Sequence, residues 1–131
     1  MMRFALLAIT IFLASCGSIK LTESNYAIVT DANVERDQYV LQFKKKAGAY
    51  LELVEVKLLN SEQGMDQSVP FQVTDTDGKK SILDIKGRDT FAVVASKPKS
   101  SDSVIATSAL VSYRTEPKGT IKYYTVKNIG Q

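Results

Sequence analysis

The chain has 131 residues, 44% of them apolar, with 17 basic and 14 acidic side chains and a formal charge of +3; this length suits a single domain with one core. It has one cysteine, no histidine and no tryptophan, which excludes an internal disulfide, His metal ligation, a Ser-His-Asp triad and a tryptophan sugar platform. The near balance of charge also speaks against nucleic acid as a partner, because that needs a broad positive stripe with exposed stacking aromatics.

The first 18 residues, MMRFALLAITIFLASCGS, place Arg3 before an apolar run from Phe4 to Ala14, with small residues around Cys16. That order is the pattern of a secretory leader. The run is shorter than the ~20 apolar residues a membrane-spanning helix needs. The segment Leu13-Ala14-Ser15-Cys16 resembles the lipobox of bacterial lipoproteins. The resemblance covers the leader alone, and it implies cleavage before Cys16 and lipidation of that cysteine. Residues 1–15 are then a signal peptide, and removing 15 of 131 leaves a mature chain of 116. Loss of Arg3 lowers the basic count from 17 to 16 against 14 acids, a charge of +2. Several acyl chains hold a protein firmly where one binds reversibly. The residue after Cys16 is Gly17 rather than an aspartate, which resembles lipoproteins passed to the outer membrane, and the absence of an early acidic cluster points to its periplasmic face.

Residues 16–25 are small and polar and are expected to form the lipidated cysteine and a short tether, leaving 26–131 as one domain. Eight β-rich segments follow, at residues 26–30, 39–45, 50–59, 69–73, 80–85, 90–95, 103–114 and 120–128. They are rich in β-branched and aromatic residues, bounded by Gly, Pro, Asn, Asp or Ser, and no long amphipathic helical stretch lies among them. The expected fold is all-β: a small antiparallel β-sandwich of about eight strands, immunoglobulin-like or related, with a partly open β-barrel as the alternative. Alternation puts Tyr39, Leu41 and Phe43 on an inward face. In the third segment Val54, Val56 and Leu58 oppose Glu55 and Lys57 while Leu51 and Leu53 break the pattern, which requires cover on both sides or a bulge. Ile105, Ala109, Val111 and Tyr113 are expected inward, on a central strand. The run Lys44-Lys45-Lys46 reads as the wet end of a strand, with contact to acidic head groups or a protein partner as the alternative.

The turn TDTDGKK, with Asp75, Asp77 and Gly78, has hairpin chemistry. Asp75 and Asp77 also resemble a fragment of a calcium loop, but the later acidic ligand is missing, so only a weak calcium site would fit. TEPKGT, with Pro117 and Gly119, predicts a tight turn before the last strand, and residues 96–103 predict an open, mobile surface loop. Asp31, Asp37, Asp75, Asp77 and Asp84 are the material for a carboxylate pair, yet no spacing suggests opposed groups around a cleft. No nucleotide-binding glycine motif or serine nucleophile turn occurs. The sequence therefore predicts a non-enzymatic protein without cofactor.

The adjacent Tyr123 and Tyr124 must point to opposite faces of a strand. One enters the core and the other is free for a partner; Tyr124, with Tyr113, Arg114, Lys118 and Lys122, is the expected partner surface. That patch requires Arg114 and Lys122 to share a face. The function expected is an accessory or scaffold subunit of a cell-envelope protein complex. A small-molecule or glycan-binding module is the alternative and would need a concave site with a few polar contacts.

Overall fold

Alternation of large apolar and polar side chains fixes which way each strand faces, and the observed pairing follows it. The structure, a computed structural model, describes residues 19–77, 80–82, 85–99 and 104–129. Its strands are β1 (Lys20–Asp31), β2 (Val34–Lys44), β3 (Glu52–Asn60), β4 (Met65–Val69), β5 (Phe71–Thr74), β6 (Thr90–Pro98), β7 (Ser108–Arg114) and β8 (Lys122–Lys127). They form two four-stranded sheets, in the order β1-β2-β6-β5 and β4-β3-β7-β8, and all neighbours are antiparallel. The sheets stay open rather than closing into a barrel, so the sandwich is the observed form.

The core lies between the inner strands of both sheets. Tyr39, Leu41 and Phe43 of β2 and Phe91, Val93 and Ala95 of β6 are buried with Val56 and Leu58 of β3 and Ala109, Val111 and Tyr113 of β7. The rings of Phe43 and Phe91 stack with centroids 5.5 Å apart, and Tyr124 meets Phe43 edge-on at 5.5 Å. Each fully buried Val, Leu or Phe among them is worth about 1.5–3 kcal/mol relative to exposure. β7 is an inner strand, as its composition predicts, although Ile105 lies outside it and is exposed. In β3 the register shifts between Leu53 and Glu55, the bulge that reconciles its two conflicting faces.

Four boundaries differ from the sequence reading. The segment 69–73 is two strands in two sheets, because Pro70 has no N–H for a ladder and the chain changes sheets there. The segment 80–85 is no strand in its described part: Ser81 forms one isolated bridge to Thr74, and residues 83–84 lie outside the described residues. β6 runs on through Pro98, so the loop expected at 96–103 begins later than its polar composition suggests; residues 100–103 are not described. Finally, residues 20–25, expected in the tether, are the first half of β1, and Ile19 is buried to 2% exposure.

The hairpin of β1 and β2 turns through Ala32 and Asn33, both at positive φ (51° and 67°) between the paired Asp31 and Val34. Two consecutive left-handed residues match the strand twist of a two-residue hairpin. Among the described residues no helix is long and apolar enough to cross a membrane.

Candidate functional site

The residues expected to form a partner patch are brought near one another but split between two faces. Tyr113 pairs with Lys122 and Val111 with Tyr124, so Tyr113 and Tyr124 face the core. Tyr124 is half-buried against Phe43, and its hydroxyl accepts a hydrogen bond from the Leu21 amide at 3.0 Å. Arg114 has the opposite parity and points outward, where it donates to Glu52 at 3.3 Å and to the Gly119 carbonyl at 3.1 Å. The outward tyrosine is Tyr123, 62% exposed, rather than Tyr124. The sequence held the signal: Tyr124 shares its parity with Val126, while Tyr123 goes with Thr125 and Lys127. Lys118, at φ 59°, occupies the left-handed position of the turn expected around Gly119. Cys16 lies outside the described residues.

Asp75 and Asp77 lie in a turn whose start is closed by the Asp75 amide on the Lys80 carbonyl and the Ile82 amide on the Val73 carbonyl, each 2.9 Å. The Asp75 carboxylate also accepts from the Lys80 amide at 3.4 Å, a capping role. Asp31 sits at the tip of the β1–β2 hairpin, Asp84 is not described, and Asp37 is engaged elsewhere.

Asp37 belongs to a polar assembly that composition alone does not reveal. Its register partner on β6 is Lys97, and both face inward. The Lys97 ammonium donates to Asp37 Oδ2 at 2.8 Å, and the Tyr26 hydroxyl donates to Oδ1 at 2.7 Å. The Asp37 side chain is 1% exposed. Burial by itself would raise the Asp37 pKa, but the Lys97 and Tyr26 hydrogen bonds outweigh it and hold the carboxyl below its ordinary value. Burial, followed by the hydrogen bond to Asp37, pushes the Tyr26 phenol far up. Tyr26 packs on Tyr39 with centroids 5.0 Å apart, and the Tyr39 hydroxyl accepts from the Ala106 amide at 3.0 Å. This set joins β1, β2, β6 and the segment before β7 at one end of the sandwich. Its charges satisfy one another, so its chemistry is that of a lock: an ionised carboxylate, an ammonium and a neutral phenol.

The outer face of the β1-β2-β6-β5 sheet carries a shallow cleft of about 480 Å³. Gln38, Gln72, Val94 and Ser96 line it, together with Arg36, whose guanidinium donates to Ser96 Oγ at 3.3–3.4 Å. Phe71 is its one aromatic lining residue. The cleft offers amide and guanidinium donors on a sheet surface, with no cluster of three or more metal-ligating side chains among the described residues.

No protein-family model, curated protein or solved structure matches the chain.

Proposed function

We propose that the protein is a lipid-anchored accessory subunit of the bacterial cell envelope, held through Cys16 and presenting the opposite end of its sandwich to a protein partner. The observation that supports this reading most is the spacing of Cys16 from the fold: the buried Ile19 lies three residues beyond it, and β1 starts at Lys20. Three residues span about 10 Å at most. Such an anchor fixes one end of the domain beside the membrane and turns the β1–β2 hairpin tip outward. On that hairpin Ile28 and Val34 are exposed, at 47% and 48%, on opposite faces of the ribbon, one apolar side chain on each for a partner to cover.

This placement moves the partner surface away from the C-terminal hairpin, whose turn lies at the anchor end. A photo-crosslinking residue at Val34, tested in the native envelope, is expected to capture one reproducible protein that the same residue at Lys118 does not. Equal capture from both positions would remove the support for a distal docking end.

The cleft favours a second reading, binding of a small polar ligand such as a glycan, since Arg36, Gln38, Gln72 and Ser96 converge there. An Arg36→Ala variant that leaves glycan-array binding of the whole protein unchanged would dispose of it.

A further inference from the structure

From the geometry we infer that the anchor end of the sandwich is a basic docking face for anionic phospholipid head groups of the membrane that holds Cys16; the inference rests on the lipoprotein reading above. The two sheets bring lysines from distant parts of the chain to this end. Lys20 opens β1 and is the register partner of Lys44, which closes β2, and Lys46 follows in the next loop. The Leu21 amide meets the Tyr124 hydroxyl, and Tyr124 meets Phe43, so the start of β8 with Lys122 and the preceding turn with Lys118 lie at the same end. Arg88 joins them from the segment before β6, which is tied to the 45–49 loop by the Lys45 amide on the Asp89 carbonyl and the Gly48 amide on the Lys86 carbonyl, at 2.9 and 2.8 Å.

Lys20, Lys44, Lys46, Arg88, Lys118 and Lys122 are all exposed, and none forms an ion pair among the described residues. The acids of this end offset them only in part: Glu52 is engaged by Arg114 and the Asp75 carboxylate caps the Lys80 amide on the flank, while Glu23, Asp77, Asp89 and Glu116 are exposed, four carboxylates against these six cations. The middle lysine of the run behaves differently. The Lys45 ammonium is buried and donates to the carbonyls of Lys46, Ala49 and Lys86 at 2.9–3.1 Å. It shapes the loop that displays its neighbours. Cations held this near a leaflet are attracted to its negative surface potential, and the attraction decays within a screening length of roughly 10 Å. A tether whose reach is about the same leaves the face inside that range.

The test uses the full chain expressed in a lipoprotein-processing bacterium, purified from membranes and reconstituted into vesicles of phosphatidylcholine alone or phosphatidylcholine with phosphatidylglycerol. Amine acetylation is read residue by residue by mass spectrometry. On the anionic vesicles Lys44, Lys46 and Lys122 are expected to label at least about three-fold more slowly than on the neutral ones, with recovery at about 1 M salt, while Lys99 and Lys127 at the other end do not change. In a Lys44→Glu, Lys46→Glu variant the protection at Lys122 should fall away. Equal labelling on both vesicles would overturn the docking face while leaving the anchor in place. The same spectra read the Cys16 peptide directly, and an unacylated Cys16 would overturn the lipoprotein reading and the docking face together.

Discussion

Lys97 and Lys44 both stand near strand ends of the same sheet, yet they meet opposite fates. Lys97 points between the sheets and spends its charge on Asp37 at 2.8 Å, whereas Lys44 stands exposed with other cations at the end where the chain enters the fold. The difference is one of parity and position. Inside the sandwich an ammonium survives only with a partner, because an isolated buried charge is strongly disfavoured. At the open end solvent serves as the partner. One end of the molecule is therefore locked by its charges, and the other displays them.

The sharpest way to break this contrast is to remove one member of the lock. Lys97→Met leaves the buried Asp37 with the Tyr26 hydroxyl but no countercharge in contact, and is expected to cost about 3–5 kcal/mol in urea unfolding. Lys44→Met should fall within about 0.5 kcal/mol of the native chain. The double change Asp37→Leu, Lys97→Met should recover most of the loss, since a matched apolar pair often replaces a buried ion pair without penalty. If the single Lys97 variant is as stable as the native chain, the pair is not the lock described here.

Acid offers a graded version of the same test. The Asp37 carboxyl is held below its ordinary value in the fold, so its contribution is present above the unfolded value, about pH 3.9, and is lost as pH falls through the folded one. The native chain should therefore lose stability below about pH 4 more steeply than Asp37→Asn does, as read by urea midpoints across that range. Tyr26→Phe removes one hydrogen bond to the carboxylate and is expected to cost about 1.5–3 kcal/mol, since that acceptor is charged. Smaller than either loss in the lock, Arg114→Ala should cost no more than about 1 kcal/mol, because the Arg114–Glu52 pair is partly exposed and screened.

The sequence displayed the sandwich through alternation, and Tyr39-Leu41-Phe43 faced inward as the pattern required. What it concealed had physical reasons. Lys97 lies in a run of serines, lysines and a proline that reads as loop, and only the register against Asp37 shows that its side chain turns inward. Pro70 sat inside an apolar run whose composition gave no hint of a change of sheet. The start of β1 was masked because a register shift between Leu21 and Glu23 interrupts its alternation. Which of Tyr123 and Tyr124 faces outward is legible from the parity of Val126, whereas the broad contact a tyrosine can make at a surface does not distinguish the two. For the site, composition marked Cys16 and the lysine run, while the gathering of Lys20, Lys44 and Lys122 at one end depends on pairings that no local pattern encodes.

The most direct measurement is the intact mass of the protein recovered from fractionated cells that express the full chain. The account predicts a membrane-bound species that begins at Cys16, lacks the 15 preceding residues and carries the added mass of its acyl chains. A soluble species that retains Arg3 and an unmodified Cys16 thiol would contradict it.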